Sequence, residues 1–307
     1  MNDKKTPNKF QSWLLASRPK TLLASVVPVI VGSALAVAEN KTARSGIGEH
    51  RFVPLYSFIA LACSVLIQTG TNFVNDLYDF LKGADNQKRK GPERVLASGW
   101  ISVREMKIAS ILVFLISFLL GLYLVYSGGT IILIIGVLSI IAGIAYTAGP
   151  FPLAYHGLGD IFVFFFFGFA GTMGTYYLQT HNFSIVSLLT SIPVGALITN
   201  ILVVNNYRDV EEDRAANKNT LAVIFGRTFA KFEYVFLILI SFIIPTILYF
   251  YFDFSYWIFL PYLSLPVAIN LIKMLFTLDG LGLNKALELS AKLSALFGLL
   301  FSLGLIA

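Results

Sequence analysis

Charged residues are scarce in this sequence. They make up 13% of its 307 residues, whereas hydrophobic residues make up 56% and the mean hydropathy is +0.75. An average soluble domain carries about 25% charged residues. The composition therefore excludes an ordinary soluble domain and indicates a membrane protein.

Cysteine is nearly absent as well. Cys63 is the only one, and it lies within an apolar run. A single cysteine excludes a disulfide framework and a cysteine metal site within one chain, so we interpret Cys63 as a packing residue.

Apolar runs of 17 or more residues recur along the whole sequence. Each can cross roughly 30 Å of hydrocarbon as a helix, and solid runs such as 131–135 and 162–167 argue against the alternating pattern of a porin-like barrel. We predict an all-α integral membrane protein, a single membrane domain over 1–307 with nine transmembrane helices around a central cavity. The first run is too long for a signal peptide, so we expect it to remain a span. The predicted spans are 20–38, 55–75, 107–126, 129–148, 158–179, 184–205, 233–252, 255–277 and 288–307.

Basic residues are unevenly distributed between the two sides of these spans. With the N-terminus inside, twenty of the 23 Lys and Arg residues fall on the inner side, and Lys41, Arg44 and Arg51 remain outside. Such asymmetry is the usual topology signal, so the net charge of +6 needs no nucleic-acid partner. We predict a cytoplasmic N-terminal segment at 1–19 and a multi-pass location in the inner (plasma) membrane bilayer.

Acidic residues concentrate in two predicted cytoplasmic loops, 76–106 and 206–232. On a helix, Asp76 and Asp79 share one face, and so do Asp209 and Asp213. Each pair can therefore project two carboxylates in one direction. Seven of the 17 acids form two clusters within these loops: Asp76, Asp79, Asp85, Asp209, Glu211, Glu212 and Asp213.

Carboxylates held this close together at a membrane boundary repel each other and lose hydration, so a cation is their natural partner. Oxygen ligands without His or Cys favour Mg²⁺, which usually shares its coordination shell with phosphate oxygens. An apolar interior behind a phosphate site suits a polyprenyl diphosphate. Basic side chains that could bind the remaining phosphate charge are Lys82, Lys88, Arg89, Lys90, Arg94, Arg208, Arg214 and Lys218.

Two other interpretations of these clusters stay open. Acids and bases at helix ends are often solvated caps and topology signals. Acids at helix ends also occur in ion-coupled transporters, although those usually place them near the middle of the bilayer. For a transporter we expect solute flux without release of pyrophosphate.

The two clusters resemble the aspartate-rich motifs of the UbiA superfamily of intramembrane prenyltransferases, and the likeness extends over nearly the whole chain. The matching segments are Asn75-Asp76-Leu77-Tyr78-Asp79 with Asp85, and Asp209-Val210-Glu211-Glu212-Asp213-Arg214. Further segments look like the MenA-type 1,4-dihydroxy-2-naphthoate polyprenyltransferases. They are Ala16-Ser17-Arg18-Pro19-Lys20-Thr21-Leu22, Gly91-Pro92-Glu93-Arg94, Tyr146-Thr147-Ala148-Gly149-Pro150-Phe151-Pro152-Leu153 and Asn205-Asn206-Tyr207-Arg208-Asp209.

The resemblance implies transfer of a polyprenyl group to 1,4-dihydroxy-2-naphthoate with loss of CO₂ and diphosphate, a step of menaquinone synthesis. It implies catalytic roles for the four paired aspartates and Tyr146, with Tyr146 near the aromatic acceptor. The implied Mg²⁺ ligands are Asp76, Asp79, Asp85, Asp209 and Asp213. The implied substrate-binding residues are Asn72, Asn75, Arg94 and Lys218, beside Lys82 and Arg208 from the basic set.

Departures from the family pattern concern single positions. Asn219 stands where a basic residue is commoner, Glu212 where a glycine is commoner, and Asp160 where a glutamate is expected. His156 is either a base or carboxylate ligand for the acceptor, or a packing residue of its turn, and we favour packing. A related enzyme acting on another acceptor, such as 4-hydroxybenzoate or homogentisate, is the nearest alternative.

Overall fold

The computed structural model describes residues 7–43, 52–83 and 94–307. In these ranges the secondary structure is helical, and eight helices are long and apolar enough to cross a membrane. The prediction of an all-α membrane protein is therefore confirmed. The candidate spans are Pro19–Glu39, Pro54–Leu81, Val103–Ala145, Gly159–Thr180, Ile185–Arg208, Leu221–Tyr251, Tyr256–Thr277 and Gly280–Ile306.

Shorter helical segments lie within and between these spans. Phe164–Met173 is π-helical, and Leu153–Tyr155, Tyr256–Ser264 and Gly280–Gly282 are 3₁₀ turns. The α-helices of the described ranges are α1 (Lys9–Ser17), α2 (Pro19–Ala43), α3 (Pro54–Leu81), α4 (Val103–Ala145), α5 (Gly159–Val163), α6 (Gly174–Thr180), α7 (Ile185–Arg208), α8 (Val210–Ala215), α9 (Leu221–Tyr251), α10 (Leu265–Thr277) and α11 (Leu283–Ile306).

The longest helix, α4, reverses direction at Gly129. Its 43 residues would span about 65 Å if straight, roughly twice the hydrocarbon thickness. Gly129 has φ 64° and ψ −157°, which is not helical. Phe114 from the first half and Gly143 from the second half both pack against the same turn of α3, at Gly70 and Thr71. The predicted spans 107–126 and 129–148 lie on these two halves, and the total of nine spans and the cytoplasmic N-terminus stay predictions.

Capping side chains fix where several helices begin. Ser102 accepts a bond from the Glu105 backbone at the start of α4, and the Glu105 carboxylate accepts one from the Ser102 backbone in return. Ser184 caps α7 in the same reciprocal way with Ser187. These bonds satisfy backbone N–H groups that a helix start leaves without partners.

The buried core lies among α2, α7, α9 and α11, whereas α4 exposes much of its apolar surface. The backbones of the Gly159–Thr180 span and α7 approach closely at Gly168 and Gly195, where a Cβ atom would meet the opposing backbone. Small residues at such crossings are typical of membrane helix packing, since lipid tails provide no hydrophobic drive between helices. This core fixes α7, and with it one of the two aspartate pairs.

Candidate active site

Both aspartate-bearing segments border one cavity of about 1070 Å³. At one end it is lined by polar side chains from α3 and by Arg94, Arg208 and Lys218, and its remaining wall is largely apolar. Such a cavity can hold a charged group at one end and a hydrocarbon chain along its length. The polar side chains of α3 that line it include Gln68, Asn72, Asn75, Asp76 and Asp79.

The first aspartate pair lies in the last two turns of α3, which extends to Leu81. Asp76 is 2% exposed and accepts bonds from Arg94 Nη1 at 2.7 Å and Arg18 Nη2 at 3.4 Å. Asp79 accepts a bond from the Tyr155 hydroxyl at 2.9 Å, and Arg94 Nη2 lies 3.7 Å from its other oxygen. Arg94 therefore spans both carboxylates.

Two asparagines on the same stretch of helix tie α3 to its neighbours. Asn72 Nδ2 donates to the Ser17 carbonyl at 2.9 Å, at the junction of α1 and α2. Asn75 Oδ1 accepts from the Thr147 hydroxyl at 2.9 Å, just after α4. Both side chains are buried, so they hold the helix turn that carries the aspartates against two other elements.

The second aspartate pair surrounds the end of α7. The Arg208 guanidinium makes two parallel bonds to the Asp209 carboxylate, both at 2.6 Å, and further bonds to Asn205 and Asn284 at 2.9 and 2.7 Å. The Arg208 side chain is only 1% exposed. Its planar fork matches a carboxylate in two places, which makes this a specific buried ion pair.

Asp213, the other acid of the second pair, is buried as well. Lys218 Nζ lies 3.4 Å from Oδ1, while the buried Oδ2 accepts no hydrogen bond. Burial raises the pKa of Asp213 to about 6, and the charges of Asp209 and Asp79 raise it too, whereas Lys218 lowers it. A second cation beside Oδ2 would offset both the cost of desolvating the carboxylate and its repulsion by the neighbouring acids.

These residues fit a magnesium site made with phosphate. Among the described residues, no three His, Cys, Asp or Glu side chains converge on one point, because the carboxylates come as two separate pairs. Mg²⁺ is usually bound by one or two carboxylates plus phosphate oxygens, and the unpartnered Asp213 oxygen offers such a ligand. The fifth predicted ligand, Asp85, lies outside the described residues, as do Lys88, Arg89, Lys90 and the segment 91–93.

Lys82 lies away from the open cavity. Its Nζ donates to the Thr147 carbonyl at 2.8 Å and lies 4.1 Å above the Tyr155 ring. Burial lowers the pKa of Lys82, and the Asp79 charge opposes that shift. Tyr155 therefore connects Lys82 with Asp79, because its ring contacts the lysine and its hydroxyl donates to the aspartate.

The segment after α4 carries the predicted acceptor residue. Tyr146 lines the cavity, and the Gly159 backbone packs close to its hydroxyl. Burial raises the pKa of Tyr146, as do the nearby acids, so its hydroxyl remains a donor at neutral pH. His156 instead stacks on Phe151 at 3.8 Å, with Nδ1 2.9 Å from the Pro152 carbonyl, which is the geometry of a packing residue.

Sequence reasoning missed two residues of this site. Arg18 has a left-handed backbone, φ 53°, between α1 and α2, which turns its side chain towards Asp76. Tyr155 contacts Asp79 from a distant part of the chain. Each had a signal in the sequence, because both stand in or beside the segments that carry the family resemblance.

Known proteins share much of the sequence and the fold of this chain. A family model described as the UbiA prenyltransferase family matches residues 25–296. The chain is 39% identical over 239 residues to a 1,4-dihydroxy-2-naphthoate octaprenyltransferase of Haemophilus influenzae, covering 74% of this chain and 73% of the relative. It is 35% identical to the Escherichia coli protein of that name, covering 97% of this chain and 96% of the relative.

The fold is that of a solved UbiA homolog from Archaeoglobus fulgidus bound to DMAPP and Mg²⁺. The TM-score is 0.64 at 18% identity, covering 96% of this chain and 99% of that one. Sequence and fold thus agree over almost the full length, and the chain belongs to the UbiA prenyltransferase family.

Proposed function

We propose that this membrane protein transfers a polyprenyl group from a polyprenyl diphosphate to 1,4-dihydroxy-2-naphthoate, releasing CO₂ and diphosphate and giving demethylmenaquinone. The observation that carries the proposal is one largely apolar cavity, lined by the buried first aspartate pair and by Arg208 and Lys218, which form ion pairs with the buried second pair. The acceptor follows from relatives that bear the naphthoate enzyme's name, at 35% identity over 97% of the chain.

The polar end of the cavity binds the diphosphate in this proposal. Arg94 and Lys218 line it, and each already lies beside an aspartate, so they can bind phosphate oxygens as the aspartates take up Mg²⁺. When bound, Mg²⁺ neutralises the diphosphate leaving group, so the allylic C–O bond breaks more readily. The apolar wall then excludes water from the allylic carbon. The proposed ligands are Asp76, Asp79, Asp85, Asp209 and Asp213.

Transfer forms one carbon–carbon bond and breaks one carbon–oxygen bond and one carbon–carbon bond. The allylic carbon loses its C–O bonding electrons to diphosphate and bonds to the ring carbon that carries the carboxyl group. That carbon then loses CO₂, and the electrons of the broken C–C bond restore the aromatic ring. In this proposal Tyr146, with its protonated hydroxyl, orients a ring oxygen of the acceptor.

The proposal includes an orientation. We place the chain as a single domain in the inner membrane, with 1–19 and the active-site segments 76–106 and 206–232 on the cytoplasmic side. The supporting observation is the excess of Lys and Arg in those segments. A soluble acceptor can reach the site from that side.

The test is prenyl transfer by purified protein in detergent with Mg²⁺, a polyprenyl diphosphate and 1,4-dihydroxy-2-naphthoate, following prenylated product and CO₂. We expect Asp76→Asn and Asp209→Asn to lower the rate about 100-fold or more, because each removes a charge that stabilises the reacting complex. The matched control is Asp253→Asn. Asp253 is exposed in the turn after α9, and we expect this change to leave the rate unaltered.

Each outcome of this assay bears on a different part of the proposal. Product from 4-hydroxybenzoate or homogentisate but not from the naphthoate would keep the metal site and overturn the acceptor. Activity retained in both aspartate variants would overturn the site. Solute flux in reconstituted vesicles, without pyrophosphate release, would favour a transporter.

A further inference from the structure

One segment contacts the first aspartate pair and also the turn that follows the second pair. It runs from Tyr146 to Leu158, between α4 and α5, and we call it the strap. On the side of the first pair, Thr147 donates from its hydroxyl to Asn75 and accepts from Lys82 at its carbonyl. Further along the strap, the Tyr155 hydroxyl donates to Asp79.

The strap also contacts the backbone of the segment that carries the second cluster. The Asn219 backbone N–H donates to the Tyr155 carbonyl at 3.1 Å, and His156 and Asn219 form an isolated parallel β-bridge. Asn219 directly follows Lys218, whose ammonium lies 3.4 Å from Asp213. The backbone of Tyr155 is thus fixed to one cluster and its side chain to the other.

Tyr155 is suited to such a link because it is rigid and buried, at 7% exposure. Lys82 Nζ lies 4.1 Å from the centre of its ring and Lys218 Nζ lies 5.9 Å from it, so the ring contacts two lysines, one from each cluster. Its hydroxyl bond to a carboxylate is charge-assisted and therefore both strong and directional.

We propose that Tyr155 is a positioning residue that sets the spacing of the two aspartate pairs. Its hydroxyl orients Asp79, and its carbonyl holds the turn that carries Lys218. This inference rests on the proposed function, because the spacing matters only if metal and diphosphate bridge the two pairs. Tyr155 acts through Asp79 and Lys218 and need not touch the substrate.

The test is Tyr155→Phe, which keeps the ring and the backbone and removes the hydroxyl. We would measure the thermal stabilisation of the purified protein by Mg²⁺ in the presence of inorganic pyrophosphate. Loss of the bond that orients a metal ligand typically weakens metal binding roughly 10- to 100-fold. We therefore expect the Mg²⁺ concentration for half-maximal stabilisation to rise about tenfold or more, with unfolding in the absence of Mg²⁺ little changed.

The matched control is His156→Ala, the next residue of the strap, whose ring packs on Phe151. We expect it to retain the wild-type Mg²⁺ dependence. A second variant tests whether the hydroxyl acts through Asp79. In an Asp79→Asn background, adding Tyr155→Phe should produce no further shift in Mg²⁺ dependence, because the carboxylate that the hydroxyl orients is gone.

Three results would decide against the inference. They are a wild-type Mg²⁺ dependence in Tyr155→Phe, an equal shift in His156→Ala, and fully additive shifts in the double variant. Failure of the proposed function looks different. In that case the wild-type protein itself is not stabilised by Mg²⁺ and pyrophosphate and releases no pyrophosphate in the prenyl transfer assay.

Discussion

The charge of Arg208 suggests that it binds substrate, whereas its contacts indicate that it stabilises the fold. Sequence reasoning placed it among residues that bind phosphate. In the structure its guanidinium is buried and bonds to Asp209, Asn205 and Asn284. A buried charge of this kind needs all its partners, because desolvation is costly when any of them is removed.

We expect Arg208→Met to lower the free energy of unfolding by about 3–5 kcal/mol, because the Asp209 carboxylate would be left buried without its cation. Thermal unfolding in detergent measures the change. The matched control is Arg214→Met, which breaks an exposed ion pair with Glu211 at 3.4 Å and should cost less than about 1 kcal/mol. Equal losses in the two variants would contradict the assignment of Arg208 to the fold.

At the scale of elements, the reversal of α4 depends on one backbone conformation. Gly129 has a φ of 64° and a ψ of −157°, a combination that is essentially restricted to glycine. No heavy atom lies within 4 Å of the position that a Cβ at Gly129 would take. Any penalty for a side chain there comes from backbone strain alone.

Gly129→Ala should therefore destabilise the protein by about 1–3 kcal/mol. Gly136→Ala is the matched control, since Gly136 is helical, lies in the same helix and also has open space beside it. We expect that control to be neutral or to add up to about 1 kcal/mol, because alanine favours helix. Thermal unfolding measures both variants. An equal effect of the two alanines would contradict the assignment of backbone strain to Gly129.

The role of the strap could not be predicted from the sequence. Its Gly and Pro residues predict only a turn, and that turn is present between α4 and α5. Its contacts, with Asp79 on α3 and with Asn219 after α8, depend on how the packed helices place these two segments. No local pattern specifies that arrangement.

At the scale of the whole molecule, orientation in the membrane decides which solution supplies the acceptor. The aspartate pairs lie at one end of the helices, and the connection at Thr180–Ser184 lies at the other end of the Gly159–Thr180 span. The basic residues cluster with the aspartates, which predicts a cytoplasmic site.

Single cysteines in a Cys63→Ser background test this orientation. Ser98 and Asn182 are both exposed, one near the aspartate end and one at the opposite end. We expect a membrane-impermeant thiol reagent to label Asn182→Cys in intact cells and to label Ser98→Cys only after the membrane is opened. The reverse pattern would place the active site outside the cytoplasm.

Much of the site could be predicted because the signals are short-range. Asp76 and Asp79 are three residues apart, so the helical period alone puts them on one face. Asn72 and Asn75 follow from the same period, and both are buried beside the aspartates. The partners of the first aspartate pair, Arg18, Arg94 and Tyr155, could not be predicted in this way, because they come from other parts of the chain.

The sequence alone determined the membrane class, the all-α fold and the two acidic clusters, because these depend on local properties. The length of an apolar run decides whether a helix can cross the bilayer, and residue spacing decides which side chains share a helix face. The tertiary structure decided which side chains complete the site. Tyr155 and Asp79 are 76 residues apart, as are Arg208 and Asn284. Such contacts arise only when the packed helices bring distant segments together, and that packing depends on the whole chain.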